Sequence, residues 1–251
     1  MSFRQTHLLG IEPLQTTEIK TLLDLADRYA DDNRRGRTQR NELAGLTMIN
    51  MFFENSTRTQ ASFEIAARRM GADVMNMAMQ ASSIRKGETL IDTAMTLNAM
   101  RPDILVVRHP HSGAVDLLAQ KVNCAVLNAG DGRHEHPTQA LLDLYTIREE
   151  MAGRGKGIDD LRIALIGDLR YGRAVHSLAQ LLGLYERLSF RLVSPPELSL
   201  PAPYVEALRS AGHDVVECHE LEVGVQDVDI LYVTRTQEER FPSPEEANRY
   251  R

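Results

Sequence analysis

The strongest constraint on the fold is an alternation along the chain between short apolar runs rich in β-branched residues and longer segments of helical period. This alternation predicts parallel sheets covered by helices, because each parallel strand needs a crossover connection, usually a helix. The predicted strands form two groups of four: 47–53, 74–77, 104–108 and 125–128, then 162–166, 189–193, 214–217 and 230–234. The predicted helices are 16–30, 59–70, 88–100, 113–120, 137–151, 173–182 and 203–211. The fold class is therefore α/β, with two doubly wound parallel-sheet domains.

Chain length and composition agree with two small globular domains. The chain has 251 residues, of which 43% are hydrophobic and 25% charged, so it can bury a core and is not intrinsically disordered. The glycine-rich stretch 153–160 is the best linker between the two α/β units.

Charge and terminal composition exclude several function classes. A net charge of −6 disfavours nucleic acid as the main partner. The first residues lack a signal-peptide pattern, and no apolar stretch is long enough to cross a membrane, which favours a cytoplasmic location. The only cysteines, Cys124 and Cys218, lie too far apart in sequence to define a zinc knuckle or a disulfide framework.

Open parallel sheets bind ligands beyond the carboxyl ends of their strands, and in this chain the residues at those positions are strongly polar. After the first strand comes Ser56-Thr57-Arg58-Thr59, where three hydroxyls and a guanidinium surround the start of a helix. That set predicts a phosphate site. Thr57 and Gln60 also have the spacing of a capping box, so a simple helix cap is the alternative. There is no Walker loop.

A polar loop, residues 82–88, contains Ser82 and Lys86, one of only four lysines in the chain. Its glycine allows the backbone to bend, so the loop is either a solvated surface segment or a mobile cationic arm.

Histidines cluster at His134 and His136, with His109 and His111 elsewhere, and they raise the hypothesis of a metal site. Their spacing does not match a structural or catalytic zinc site, so no metal is predicted. We expect His136, beside a helix amino terminus, to donate a hydrogen bond to a substrate carbonyl, with Gln139 one turn on as a second polar contact.

The turn 167–172 follows a strand and precedes a helix, as a dinucleotide-binding motif would, but it lacks the G-x-G-x-x-G spacing of that motif. The hypothesis of a nicotinamide-dependent oxidoreductase therefore has no motif to support it. Arg173, at the start of the next helix, and Arg235, after the last strand, instead suggest two guanidinium groups directed at carboxylates. Each alone is also typical of a surface ion pair.

Together these stretches resemble the catalytic chains of the aspartate carbamoyltransferase family, within the aspartate/ornithine carbamoyltransferase superfamily. The resemblance runs from about residue 7 to 250 and depends on five segments: FFENSTRTQASFE, SSIRKGETLIDT, VVRHP, LNAGDGRHEHPTQALLDLYTI, and GDLRYGRAVHSL with LYVTRTQEER. It implies transfer of the carbamoyl group from carbamoyl phosphate to L-aspartate in pyrimidine biosynthesis, without a cofactor. It also implies a homotrimer with active sites between subunits, and it leaves open a regulatory chain or a dihydroorotase as a further partner.

The resemblance also implies roles for individual residues. Four of them, Arg58, Thr59, Arg108 and His136, would be catalytic. The carbamoyl phosphate set would be Ser56, Thr57, Arg58, Thr59, Arg108, His136 and Gln139, with Ser82 and Lys86 supplied by a neighbouring subunit. The aspartate set would be Lys86, Arg173, Arg235 and Gln237. Glu54 would tie the domains together by pairing with Arg173 and Arg240.

By the same resemblance, residues 1–143 form a carbamoyl-phosphate-binding domain and residues 144–251 an aspartate-binding domain. Family members continue past the position of Arg251 through a His-Pro-Leu-Pro loop and a final helix, so the second domain is expected to be truncated. Two alternatives follow: a non-catalytic assembly partner of the same fold, and ornithine carbamoyltransferase. The second is disfavoured because ornithine needs carboxylates where this chain offers Arg173, Arg235 and Gln237.

Overall fold

A computed structural model of the chain describes residues 3–78 and 89–250. It divides into two compact units, Met1–Pro137 and Thr138–Arg251. The strands are β1 Thr47–Phe52, β2 Asp73–Ala78, β3 Ile104–His109, β4 Ala125–Asp131, β5 Arg162–Gly167, β6 Ser189–Val193, β7 Asp214–Cys218 and β8 Ile230–Thr234. The helices are α1 Thr16–Arg34, α2 Thr57–Arg69, α3 Leu90–Ala99, α4 Ala114–Ala119, α5 Pro137–Ala152, α6 Arg173–Leu182, α7 Ala202–Ser210, α8 Leu221–Gly224 and α9 Pro244–Ala247.

The first unit is built on a parallel sheet with strand order β2-β1-β3-β4. Successive residues of β1 alternate between two buried layers, as the period of two in a strand requires. Ile49 and Met51 pack with residues of α3 and α4 on one face, whereas Met48 and Phe52 pack with Ala67 of α2 on the other. Helices on both faces make this a doubly wound sheet.

The second unit repeats the architecture with strand order β7-β6-β5-β8, again parallel throughout. Its central strand β5 buries Ile163 and Leu165 completely. β8 lies at the edge of the described sheet and is half-buried on one side and exposed on the other: Leu231 is 57% and Val233 71% exposed. Tyr232, between them, faces the opposite side of the sheet.

The predicted fold class is confirmed, and each of the eight predicted strands is present. Most differences between the predicted and observed elements lie at their ends: β4 extends to Asp131 where the prediction ended at residue 128, and α1 extends to Arg34 where it ended at residue 30. The helices α8 and α9 were not predicted, because four residues are too few to show a helical period. The division between the units falls at the start of α5, ahead of the glycine-rich stretch 153–160. None of the described helices is long and apolar enough to cross a membrane.

Asp229 fixes the start of the second sheet. Its carboxylate accepts hydrogen bonds from Lys156 Nζ at 2.6 Å and from the backbone N–H of Arg162 at 2.9 Å. These contacts join the segment before β5, and the first residue of β5 itself, to the residue before β8. The Lys156 ammonium is the main reason that the pKa of Asp229 falls to about 2.

We predict that Asp229→Asn lowers the free energy of unfolding by about 1 kcal/mol at pH 7, since Lys156 and Arg162 are half exposed and screened by solvent. The folded-state pKa lies below the unfolded value of about 4, so this stabilisation is complete above pH 4. It is lost as the pH falls through 2. Urea unfolding of both proteins between pH 7 and 2 should show the difference shrink across that window.

The matched control is Asp160→Asn, which removes an exposed carboxylate paired with Arg187 and should have a smaller effect. A difference between wild type and Asp229→Asn that stays constant from pH 7 to 2 would contradict the assigned role of this ion pair.

Candidate active site

The segment Ser56–Thr59 lies where β1 passes into α2. Ser56 is the N-cap residue of α2, and its side chain does not cap the helix; its hydroxyl donates to Thr59 Oγ1 at 2.9 Å. The predicted capping box of Thr57 and Gln60 is therefore wrong, because Thr57 is already the first helical residue. Arg58 and Thr57 are exposed. The first turn of this helix carries backbone N–H groups, hydroxyls and an arginine, a composition suited to an anion.

Arg108, at the end of β3, lies beside the same helix start. Arg108 pairs with Phe52 in the register of β1 and β3, and its carbonyl accepts the N–H of Phe53. Its guanidinium forms an ion pair with Glu54 at 3.3 Å and donates to the carbonyl of Ala129 at 3.3 Å. The Arg108 and Glu54 side chains are only 16% and 18% exposed, so the cation is held in one position at this edge of the sheet.

Asp131, the last residue of β4, organises the third loop of this edge. Its buried carboxylate accepts from the N–H groups of Gly113 at 2.7 Å and Glu135 at 3.0 Å, and from Asn128 Nδ2 at 3.0 Å. Burial alone would raise the pKa of Asp131, but its hydrogen bonds outweigh burial and hold the pKa below its usual value. The hydrogen bond to Asp131 in turn raises the pKa of His134.

This turn delivers His136 to the residue just before α5, where its side chain is buried. The first unit thus brings Ser56, Arg108 and His136 to loops at the same edge of one parallel sheet, because β1, β3 and β4 are neighbours. Sequence reasoning found these three but did not identify Asp131 as the residue that shapes the turn. The only signal was its position in the polar stretch 130–132, which follows the predicted strand 125–128.

The histidines do not form a metal site within the described residues. The rings of His109 and His111 lie with centroids 5.2 Å apart and planes tilted by 48°, and burial lowers the pKa of His109. Among residues 3–78 and 89–250, no three His, Cys, Asp or Glu side chains are grouped so that they could hold a metal ion.

The second unit carries its own polar edge, formed by the loops after β5 and β8. Gly167 has a φ of +112°, and a Cβ there would collide with the carbonyl oxygen of Thr234, so only glycine fits. The buried Asp168 then joins the two loops, accepting from the N–H of Tyr171 and from the N–H of Gln237, each at 2.9 Å. This link was not predicted.

The residues expected to bind aspartate lie on these loops. Arg173 is the first residue of α6, and Gln237 follows β8, with its side chain donating to the carbonyl of Arg235 at 3.0 Å. The Arg235 guanidinium donates to both carboxylate oxygens of Glu239, at 2.6 and 3.0 Å. Glu239 thus occupies the fork with which Arg235 was predicted to bind a carboxylate, and its hydrogen bond is the main reason that the pKa of Arg235 is raised.

Gln139 lies near the start of α5, one turn before Asp143. Its Nε2 donates to Asp143 Oδ1 at 2.9 Å, and Tyr232 of β8 donates to Asp143 Oδ2 at 2.9 Å. Neither Asp143 nor Tyr232 was predicted to belong to the site. Two further predicted residues, Ser82 and Lys86, lie outside the described residues.

Two family models match the chain. Residues 6–149 match the family described as "Aspartate/ornithine carbamoyltransferase, carbamoyl-P binding domain", and residues 159–251 match "Aspartate/ornithine carbamoyltransferase, Asp/Orn binding domain". The chain therefore belongs to the aspartate/ornithine carbamoyltransferase family.

Within that family the chain is similar to aspartate carbamoyltransferase catalytic subunits. It is 60% identical over 242 residues to the one from Roseobacter denitrificans, covering 96% of this chain and 73% of that protein. It is 61% identical to the one from Dinoroseobacter shibae, covering 96% and 72%. The crystal structure of Trypanosoma cruzi aspartate transcarbamoylase in complex with carbamoyl phosphate and aspartate superposes with a TM-score of 0.88 at 40% identity, covering 96% of this chain and 75% of that one.

We predict that Asp131→Asn lowers the free energy of unfolding by about 2 kcal/mol. An asparagine offers one acceptor oxygen and turns an NH₂ group toward donors that the carboxylate satisfied, leaving a buried donor without a partner. Chemical unfolding of the purified variant measures the loss. Asp116→Asn on α4, where the aspartate is exposed, is the control; equal effects of the two substitutions would show that Asp131 does not organise the turn.

Proposed function

We propose that this chain transfers the carbamoyl group of carbamoyl phosphate to the amine of L-aspartate, giving N-carbamoyl-L-aspartate and phosphate for pyrimidine biosynthesis. The observation that carries the proposal is the division of charge between the two sheets. The edge of the first combines an uncapped helix start with Arg108, which suits a phosphate. The edge of the second carries Arg173 and Arg235, whose guanidinium groups suit the two carboxylates of aspartate, and Glu239 already fills the Arg235 fork with a carboxylate.

The residues account for the reaction without a covalent intermediate. The amine of aspartate attacks the carbamoyl carbon, the C–N bond forms, and negative charge grows on the carbonyl oxygen. Thr59, Arg108 and His136 are the groups proposed to stabilise that oxygen, and one such donor is typically worth about 3 to 4 kcal/mol in the barrier. The C–O bond to phosphate then breaks, and a phosphate oxygen accepts the proton of the amine.

Positioning supplies the remaining rate enhancement. Holding two substrates in contact can contribute roughly 7 to 11 kcal/mol, so electrostatics and orientation suffice. Ser56, Thr57 and Arg58 hold the phosphate in this proposal, and Gln139 contacts the carbamoyl amide. Arg173, Arg235 and Gln237 hold aspartate. Ornithine would require carboxylates in place of these guanidinium groups.

We further propose that the protein works as a cytoplasmic homotrimer, with Ser82 and Lys86 inserted into the site of a neighbouring subunit. Lys86 would contact both substrates. Exposed apolar side chains on the first unit, including Met75, Met95 and Met100, offer surface for such an interface. In the proposed domain organisation, residues 1–143 bind carbamoyl phosphate and residues 144–251 bind aspartate.

The direct test is formation of carbamoyl-aspartate by the purified chain, whose intact mass is checked by mass spectrometry. Activity supports the transferase. A folded trimer that binds neither substrate would instead favour the non-catalytic assembly partner.

We predict that Arg58→Ala weakens carbamoyl phosphate binding by more than tenfold, because it removes a charge-assisted hydrogen bond beside a helix amino terminus. Calorimetry with carbamoyl phosphate alone measures this. An unchanged affinity would remove Arg58 from the phosphate site.

Arg235→Gln should instead raise the KM of aspartate and leave carbamoyl phosphate affinity nearly intact, since Arg235 follows the last strand of the second unit. Steady-state kinetics with each substrate varied in turn separates the two effects. Matched losses for both substrates would contradict this division of roles.

The shared site predicts complementation between two inactive proteins. Lys86→Ala and Arg58→Ala trimers, dissociated and mixed, would form some interfaces that carry both substitutions and others that carry neither. The intact interfaces should restore a substantial minority of wild-type activity. Carbamoyl-aspartate is measured before and after mixing, and native mass spectrometry confirms exchange. Mixed trimers that stay at the parental level would show that Lys86 does not act in a neighbouring site.

A further inference from the structure

The contact between Gln139 and Asp143 determines which end of the glutamine amide is available to a ligand. Gln139 and Asp143 are separated by four residues on α5 and therefore lie on the same face of the helix, one turn apart. The 2.9 Å hydrogen bond joins Gln139 Nε2 to Asp143 Oδ1. An ionised carboxylate can only accept hydrogen bonds, so the NH₂ group must face Asp143 and the carbonyl oxygen must face away.

Tyr232 holds the carboxylate of Asp143, which in turn orients the amide of Gln139. Its hydroxyl donates to the other oxygen of Asp143 at 2.9 Å, from a strand position whose neighbours Leu231 and Val233 face the opposite side of the sheet. Burial, together with the nearby charge of Asp143, raises the pKa of Tyr232, so the hydroxyl remains a donor. Burial raises the pKa of Asp143, whereas the two donors facing it favour the carboxylate.

The chain Tyr232–Asp143–Gln139 therefore ends in one acceptor, Gln139 Oε1, which has no hydrogen-bond partner among the described residues. Carbamoyl phosphate carries an NH₂ group on its carbonyl carbon, and an NH₂ group is a donor that needs such an acceptor. Acetyl phosphate carries a methyl group at the same position and cannot donate.

We propose that Asp143, held by Tyr232, is a positioning residue that presents Gln139 Oε1 to the carbamoyl amino group, and that this contact selects carbamoyl phosphate over acyl phosphates. The inference rests on the proposed function and adds the origin of its donor specificity. Asp143 acts through Gln139 and does not contact substrate.

The decisive variant is Asp143→Asn, because asparagine has nearly the same shape as aspartate. Tyr232 takes the single oxygen of the new amide, and the NH₂ group of that amide then faces Gln139. The glutamine amide turns over, accepts from the new NH₂ group, and offers its own NH₂ group to the ligand. Because a donor then meets the donor of the carbamoyl group, the Kd of carbamoyl phosphate should rise about tenfold.

Acetyl phosphate separates this positioning role from a structural one. Its affinity, measured by competition or calorimetry, should change less than twofold in Asp143→Asn, because it makes no hydrogen bond to Gln139. A variant that merely loosens the packing of α5 would weaken both ligands equally. Gln139→Ala should reproduce the tenfold loss for carbamoyl phosphate. The double variant Gln139→Ala/Asp143→Asn should bind carbamoyl phosphate no more weakly than Gln139→Ala, because the two substitutions remove the same interaction.

Two further variants complete the design. Tyr232→Phe keeps the ring and removes only the anchor of Asp143, so a loss of about threefold for carbamoyl phosphate is expected. Glu150→Gln, an exposed carboxylate two turns further along α5, makes the same carboxylate-to-amide change and should alter neither ligand. Circular dichroism checks that each variant is folded.

The inference is overturned if Asp143→Asn leaves carbamoyl phosphate affinity unchanged, weakens both phosphates alike, or adds its effect to that of Gln139→Ala. These results leave the proposed function intact when the wild-type chain forms carbamoyl-aspartate. A wild-type chain that binds no carbamoyl phosphate overturns both.

Discussion

Parallel pairing of β1 with β3, and of β5 with β8, is the constraint on which the rest of the structure depends. Since parallel strands all end at one edge, each loop that follows a strand is placed next to the loop of its neighbour. Pairing of Phe52 with Arg108 brings the start of α2, the proposed phosphate site, beside a guanidinium. Pairing of Gly167 with Thr234 brings the turn at Asp168 beside Gln237. Register within a sheet thus assembles groups that are distant in sequence.

Buried and half-buried carboxylates then hold these loops in shape. Glu54 holds Arg108, Asp131 gathers the N–H groups of its turn, and Asp168 joins two loops of the second unit. Each carboxylate accepts hydrogen bonds or pairs with a cation, whereas the groups proposed to meet substrate are cations, amides, hydroxyls and an imidazole. In the proposed site, an anionic ligand would therefore be met by donors whose own geometry is set by fixed negative charges behind them.

The strands could be predicted from the sequence because each one is a short apolar run that is separated from the next by a segment of helical period. The strand Ser189–Val193, for example, has the predicted bounds. The sequence also placed Ser56, Arg108 and Arg235 after strands. It could not predict Asp143 or Tyr232, because a tyrosine inside an apolar run carries no sign that its hydroxyl meets a carboxylate 89 residues away. Nor could it predict which residue takes the N-cap position of α2. Serine and threonine are both favoured there, and only the backbone geometry shows that the position belongs to Ser56 and not to Thr57.

The one-sided burial of β8 has a consequence for handling the protein. The strand pairs with β5 alone among the described elements, and its outer face presents Leu231 and Val233 to solvent. An unpaired row of backbone N–H and C=O groups beside branched apolar side chains is a template for the addition of another strand. Concentrated solutions should therefore associate through this edge before either unit unfolds, and a charged residue at Val233 would be the simplest way to keep the chains apart.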